Sequence, residues 1–181
     1  PKSPENVIIA GIGPLGATGY GAGTKMKWTF KSPFTGFFGD SVSGGFFGPN
    51  LRWAGYDHVV ITGRASQPVY IWIHDGDVQI RDARRLWGMD VHQTDHALKE
   101  ELGYADAETA LIGPAGENGV AFAGLQVSTH RGAGRTGAGC LFGSKNLKAI
   151  VARGTKGIAI HDPRRFLALS DLLIDKANAV R

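Results

Sequence analysis

The sequence predicts an α+β fold in which two similar β-sheets are related by a pseudo-two-fold axis and short helices follow glycine-rich turns. Segments with strand patterns outnumber helical segments up to residue 160, which favours sheets packed on each other over a doubly wound parallel sheet. Glycine makes up 27 of the 181 residues, and its frequency of about twice the usual value indicates many tight turns. Two glycine-rich stretches, 43–63 and 138–154, also share one pattern.

The shared pattern indicates an internal duplication. Each stretch begins with small residues, continues through Phe-Gly and a short Leu-basic segment, and ends in an apolar strand. The pattern aligns Phe47-Gly48 with Phe142-Gly143, Leu51-Arg52 with Leu147-Lys148, Val59–Gly63 with Ile150–Gly154, and Pro68–Ile71 with Gly157–Ile160. Two copies would bring two similar anion-binding turns face to face. Chance similarity between two glycine-rich segments is the alternative.

In the first third of the chain, local patterns predict strands, loops and one short helix. An apolar strand over 7–11 stops at a Gly-Pro turn, and a glycine-rich loop follows over 16–23. Polar and apolar residues then alternate in a strand over 25–30, with Lys25 and Lys27 on one face. A loop over 34–48, a helix over 48–55 and a buried strand over 58–62 complete this part.

Turn and cap residues define the elements of the rest of the chain. Asp75-Gly76 separates the strands 69–73 and 78–81, as expected for a type I′ hairpin. A helix is predicted over 90–102 with Gly103 as its C-cap, and another from Asp162-Pro163 to about residue 179. Between them we predict a strand at 110–112, a tight turn at 113–118, and a strand over 121–128.

The strand over 121–128 leads into the glycine-rich stretch 129–148, which is the main candidate site. Glycine lets main-chain N–H groups approach a ligand closely, and Arg131 and Arg135 can add bidentate contacts to phosphate oxygens. The stretch therefore predicts a site for a flat, phosphorylated cofactor. The alternative is a plain glycine-rich turn with solvated arginines.

Several other classes of function do not fit the sequence. The net charge of +4 is small and dispersed, which argues against a nucleic-acid partner. No apolar run reaches the length of a membrane span, and neither a dinucleotide-binding fingerprint nor a P-loop is present. Cys140 is the single cysteine, so it cannot hold an iron–sulfur cluster by itself, and it suits a reducing, cytoplasmic location. His92 and His96 have a zinc-compatible spacing, but without a third ligand we expect them on a solvated helix face.

The whole chain resembles the N-terminal domain of the aldehyde ferredoxin oxidoreductase family. The resemblance is carried, in order, by TFKSPFTGFFG, SGGFFGPNLRWAGYD, VYIWIHDGDVQIRDA, LWG, IGPAGEN and HRGAGRTGAGCLFGSKNLKAI. It implies a tungsten, sometimes molybdenum, bis-pterin cofactor held between two similar sheets. It also implies that residues 1–160 form the bis-pterin-binding domain, truncated at its start, and that residues 161–181 begin a truncated helical domain.

The resemblance assigns binding roles to particular positions. Lys25 takes the place of a pterin-contacting arginine, while Gly44 and Arg131 match pterin-contacting residues. Val42 and Gly132 match the positions whose main-chain carbonyls bind a magnesium ion that bridges the pterin phosphates; asparagine and often alanine occupy them in the family. From geometry we add Ser43 and Arg135 as cofactor-binding residues.

The implied activity is the oxidation of an aldehyde to a carboxylic acid, with electrons leaving through a 4Fe-4S cluster to ferredoxin or a similar carrier. The cluster ligands and the catalytic acid residues would lie outside this chain, which alone would be inactive. A homodimer or an electron-transfer subunit is a possible assembly, and no membrane partner is expected. The alternatives are a phosphate- or pterin-binding module without turnover, and a structural protein whose glycine loops only turn corners.

Overall fold

The computed structural model describes residues 1–20 and 23–179, so part of the predicted 16–23 loop and the last two residues lie outside it. The described residues form ten strands, which are β1 Ile8–Ile12, β2 Met26–Lys31, β3 Phe38–Ser43, β4 His58–Ile61, β5 Val69–His74, β6 Asp77–Asp82, β7 Glu108–Leu111, β8 Leu125–Val127, β9 Arg131–Ala133 and β10 Leu147–Arg153. The helices are α1 Phe47–Trp53, α2 Val91–Leu102, α3 Pro114–Glu117, α4 Ala138–Ser144 and α5 Pro163–Ala179, with a 3-10 turn at Arg84–Leu86. None of these helices is long and apolar enough to cross a lipid bilayer.

The strands form two sheets. One has the order β3-β2-β1-β4 and is antiparallel throughout. The other has the order β6-β5-β10-β7-β8-β9, in which the pairing of β10 with β5 is parallel and the rest are antiparallel. Two sheets with short helices confirm the predicted α+β class.

The duplication is present as a repeat of topology. Apart from α3, which follows the first strand of the second unit, β1-β2-β3-α1-β4 has the same element order as β7-β8-β9-α4-β10, and each unit forms the same antiparallel ladder with its last strand beside its first. In both units the helix follows a glycine-rich turn. Two copies of one unit therefore account for the pair of similar sheets.

The residue-by-residue alignment of the two copies was wrong at two of its four matches, whereas the matches within the helices and within the last strands join residues of the same element type. Leu51 lies within α1, whereas Leu147 is the first residue of β10. The link between helix and strand is longer in the first copy, residues 54–57, than in the second, residues 145–146, so equal spacing does not correspond to equal structure. Residues 157–160 form no strand, whereas their supposed match lies at β5.

The sheets pack on a core whose centre is aromatic. The Trp28 ring lies 5.9 Å from that of Phe47 at the start of α1 and 6.0 Å from that of Phe142 in α4. Equivalent helices of the two copies therefore meet at one tryptophan, whose indole N–H donates to Ser43 Oγ at 2.9 Å. A second cluster, which includes Tyr70, Leu98 and Val151, involves β5, α2 and β10.

Helix boundaries followed the predicted signals. Asp90 and Gln93 form a capping box at the start of α2, and Gly103 ends it with a φ of 74°. The Asp162 carboxylate accepts a bond from the main-chain N–H of Arg165 at 3.0 Å in the first turn of α5. Of the described α5 side chains only Ser170 is buried, so this helix stands away from the core with its leucines exposed.

Four local predictions need correction. The predicted loop over 34–48 contains β3, because its residues pair with β2 along the whole of that strand. The 58–62 segment is an edge strand with its side chains partly or fully exposed, since the outer face of the four-stranded sheet is uncovered. The turn at 113–118 closes into α3, and the strand over 121–128 is shortened to β8.

Candidate functional site

The junction of the two sheets lies between two edge strands, β3 and β9. Each is the last strand of its sheet, and the two pack side by side. Ser41 Oγ accepts a hydrogen bond from the Arg135 main-chain N–H at 3.4 Å, and Thr136 Oγ1 donates to the Asp40 carbonyl at 3.3 Å. An edge strand leaves alternate main-chain N–H and C=O groups without ladder partners. The junction can therefore present main-chain polar groups from both copies to a ligand.

An open groove of about 500 Å³ runs along this junction. Its lining consists of Asp40, Ser41, Val42, Gly132, Gly134 and Arg135. The only carboxylate in this set, that of Asp40, is already paired with Lys27 Nζ at 3.1 Å. The free charge that lines the groove is therefore positive.

Two further cations converge beside the groove at Gly44. A Cβ built on Gly44 would lie 3.8 Å from Lys25 Nζ and 3.9 Å from Arg131 Cδ. Lys25, Arg131 and Arg135 are all exposed, and none forms a salt bridge with another described residue. Arg135 in the groove and the pair Lys25 and Arg131 at Gly44, beyond the end of β3, are suited to an anion with several negative charges.

Val42 and Gly132 occupy equivalent places in the two copies. Each is the second-last residue of its strand, β3 or β9, and both line the groove. The Val42 side chain is about half exposed and carries no polar atom, so only its main chain can bind a metal ion. Hard cations such as magnesium take carbonyl oxygens as ligands. The arrangement fits the pair of carbonyl ligands that the sequence resemblance implies.

Ser43 does not offer its side chain to the groove. Its hydroxyl is buried and accepts the hydrogen bond from the Trp28 indole. Alternation along β3 places Ser43 with Gly39 and Ser41 on the buried side, while Asp40 and Val42 are exposed. The sequence reasoning missed Asp40, Ser41 and Gly134 as lining residues. Recognising β3 as a strand would have indicated Asp40, because alternation places it on the same exposed face as Val42.

The turn between β8 and β9 is strained and contacts the turn that precedes α1 in the first copy. Ser128 and Thr129 have φ values of 48° and 52°, in the left-handed region that residues with a Cβ seldom adopt. The Ser128 hydroxyl accepts a hydrogen bond from the Phe46 main-chain N–H at 3.3 Å. Such strain persists where the surrounding structure enforces it, and binding sites are common places for it.

Gly45→Ala is expected to destabilise the site, by about 2 kcal/mol. Gly45 has a φ of 90°, and an added Cβ would lie 2.6 Å from Ser128 Oγ. Gly132→Ala is the matched control, because its φ is not positive and its new Cβ would lie 3.7 Å from the nearest atom. Urea unfolding of both variants measures the difference; equal stabilities would contradict the packing of the two turns.

The remaining candidates lie away from the groove. Cys140 is fully buried, and its thiol lies 3.5 Å from the Gly119 carbonyl, as a packing residue would. His92 and His96 are exposed on α2. Within residues 1–20 and 23–179, no three His, Cys, Asp or Glu side chains converge as a metal site. The side chains gathered at the groove are suited to binding and orienting a polyanionic cofactor.

Known proteins resemble the chain along nearly its whole length. The family model for the N-terminal domain of aldehyde ferredoxin oxidoreductase matches residues 1–154. The tungsten-containing aldehyde ferredoxin oxidoreductase of Pyrococcus abyssi is 47% identical over 176 residues, which cover 97% of this chain and 29% of that protein. The enzyme of the same name from Pyrococcus furiosus is 44% identical over 181 residues, covering 100% of this chain and 29% of that protein.

Two other relatives have different names. A WOR-like subunit of an aliphatic sulfonate oxidoreductase from Pyrococcus furiosus is 39% identical, over 86% of this chain and 26% of its own length. Among solved structures, a chain of the active-site complex BamBC of benzoyl-coenzyme A reductase, in complex with 1,5-dienoyl-CoA, superposes with a TM-score of 0.93. That chain is 36% identical, and the match covers 96% of this chain and 26% of the other. The chain spans less than a third of the length of these relatives. Its fold, its repeat and the family match agree with one another. The chain therefore belongs to the aldehyde ferredoxin oxidoreductase family and matches that family's N-terminal domain.

Proposed function

We propose that the chain holds a tungsten or molybdenum bis-pterin cofactor in the groove between β3 and β9. The observation that carries the proposal is a groove lined by two equivalent edge strands and by Arg135, with Lys25 and Arg131 meeting at Gly44 just beyond the end of β3. A cofactor with two pterins and two phosphates matches a site built from two copies of one unit. The relatives named as tungsten enzymes support the choice of metal.

The proposed contacts divide between side chains and main chain. Arg131 and Arg135 bind phosphate oxygens through their guanidinium groups, and Lys25 neutralises the same phosphates as a point charge. The carbonyls of Val42 and Gly132 would hold a magnesium ion, which would supply positive charge to the phosphates. Gly44 leaves room for the pterin to approach the main chain, because its position between two cations carries no side chain.

The proposed reaction converts an aldehyde and water into a carboxylic acid, two protons and two electrons. The bound metal supplies the redox chemistry, and the residues of this chain fix the position of the cofactor and balance its charge. We propose that the electrons leave through a 4Fe-4S cluster held by further polypeptide and pass to ferredoxin or a similar carrier. The single buried Cys140 fits a reducing compartment such as the cytoplasm.

We also propose a domain boundary within the chain. The family match ends at residue 154, and α5 beyond it carries exposed leucines at 167, 169, 172 and 173. We propose that residues 1–160 are the cofactor-binding unit and that 161–181 begin a helical region that packs against further polypeptide. A binding module that holds the cofactor without turnover is the second candidate, since the groove gathers binding residues.

Arg131→Ala is expected to lower the affinity for the cofactor about ten- to hundredfold, because one charge-assisted contact is worth about 1.5–3 kcal/mol. The measurement is tungsten or molybdenum and pterin retained after gel filtration of protein produced anaerobically with both metals supplied. Arg164→Ala, at an exposed arginine of α5, is the matched control and should retain the wild-type content. Equal retention in the two variants would refute the role of Arg131. Aldehyde oxidation, assayed on a longer polypeptide that also carries the cluster ligands, distinguishes the enzyme from the binding module.

A further inference from the structure

A second cavity, of about 300 Å³, opens between the two sheets and shares no lining residue with the cofactor groove. Its wall is apolar and comes from several strands. The contributors are Ile61 from β4, Val69 and Ile71 from β5, Ile80 from β6 and Leu147 from β10, with Lys145 beside them. Such a volume lies at the small end of ligand pockets, so it suits a small molecule.

Lys145 gives this apolar cavity a buried positive charge. The residue is 3% exposed, and its Nζ donates to the carbonyls of Pro4 at 2.9 Å and Gly63 at 2.8 Å. An ammonium group has three donors, and among the described residues Nζ has no third partner and no carboxylate within 4 Å. Burial lowers the pKa of Lys145, while the more distant Glu5 acts in the opposite direction.

Comparison with a second buried lysine, Lys148, shows that Lys145 lacks an anionic partner among the described residues. Lys148 is also buried, but its Nζ forms an ion pair with the buried Glu117 carboxylate. A buried charge without an opposite charge is unfavourable, and a bound anion would remove that penalty. Arg64, which is exposed and also lines the cavity, adds a second positive charge.

We propose that this cavity binds a small amphipathic carboxylate, with its acid group on the free donor of Lys145 and its apolar tail among Ile61, Ile71 and Ile80. A charge-assisted hydrogen bond from a desolvated ammonium discriminates acids from neutral molecules. The isoleucines provide the apolar contact for the tail. A chain of about six carbons suits a pocket of this size. The site is independent of the cofactor groove and does not depend on the proposed enzyme activity.

The probe is hexanoate. It is added to protein whose isoleucine methyl groups carry ¹³C, and their NMR shifts are measured. We expect methyl shifts at Ile61, Ile71 and Ile80 with a Kd below about 1 mM. We expect no shift at Ile12 and Ile112, which lie against Gly48 and Gly116 and do not line the cavity. Hexan-1-ol should bind at least about tenfold more weakly, because it lacks the charge. No shift at 10 mM hexanoate (roughly −2.7 kcal/mol or weaker), equal affinity for acid and alcohol, or shifts spread over other isoleucines would each overturn the proposal.

Two variants test separately the contribution of the Lys145 charge and that of the cavity volume to binding. Lys145→Met should remove the preference for hexanoate over hexan-1-ol while leaving alcohol binding. Ala65→Phe keeps the lysine and fills the cavity, and should abolish binding of both molecules. Retained hexanoate binding by a folded Ala65→Phe chain would place the ligand elsewhere. Neither variant touches Arg131 or Arg135, so a failure here is distinguishable from a failure of the cofactor proposal.

Discussion

Gly143→Ala is expected to destabilise the chain by about 3 kcal/mol or more, at the upper end of overpacking effects. A Cβ on Gly143 would overlap the main-chain oxygen of Gly116, where α4 crosses α3. Main-chain atoms cannot move aside as the end of a long side chain can, so the helices would have to separate. Since Gly143 does not have a positive φ, lack of space alone accounts for the effect.

Gly157→Ala is the matched control, because a Cβ there meets no atom within 4 Å and φ is not positive. Its free energy of unfolding should stay within about 0.5 kcal/mol of wild type. Urea denaturation followed by circular dichroism measures both variants. A Gly143→Ala chain as stable as Gly157→Ala would show that α3 and α4 do not lie in contact.

Glu117→Gln is expected to destabilise the chain by about 3–5 kcal/mol at neutral pH, because it leaves a buried ammonium group unpaired. Glu117 and Lys148 have side-chain exposures of 4% and 0%. Lys148 Nζ also donates to the Met89 carbonyl at 2.8 Å, and Glu117 Oε2 accepts from the Gly88 main-chain N–H at 2.8 Å. The pair therefore ties the segment before α2 to α3 and β10. Glu100→Gln, at an exposed carboxylate, should change stability by less than about 1 kcal/mol.

The effect of Glu117→Gln should depend on pH in a definite direction. Burial lowers the pKa of Lys148 from its usual 10.5, and Glu117 opposes that shift. The folded state therefore binds fewer protons than the unfolded state between the folded pKa and 10.5, and this group favours folding more as pH rises through that window. Removing Glu117 lowers the folded pKa further. The stability gap between wild type and variant should be largest below the folded pKa of the variant and should narrow until the folded pKa of wild-type Lys148 is reached. A gap that widens with pH across this range would contradict the ion pair.

Local signals in the sequence predicted several elements because their residues act on their own neighbours. The hairpin turn at Asp75 and Gly76 has φ values of 47° and 98°, as a type I′ turn requires. The capping box and Gly103 likewise fixed the ends of α2. Strand β3 was missed since Gly39 and Asp40 have low strand propensity, and its pairing with β2 is a tertiary effect.

The candidate site was predictable in composition but not in geometry. Glycines and arginines indicated an anion site, whereas the packing of β3 against β9 depends on the order of strands in both sheets. The repeat was visible as a pattern, but the spacing of the helix-to-strand links concealed which residues correspond. Ser43 looked available in the sequence, and only the fold shows its hydroxyl bonded to Trp28.

Tungsten, molybdenum and pterin content, measured on the chain produced anaerobically with both metals supplied, tests the central claim most directly. The account predicts about one tungsten or molybdenum and about two pterins per chain, with the content falling when Arg131 is replaced and not when Arg164 is. Protein that is folded by circular dichroism but contains neither metal nor pterin would contradict the claim that the groove between β3 and β9 holds the cofactor.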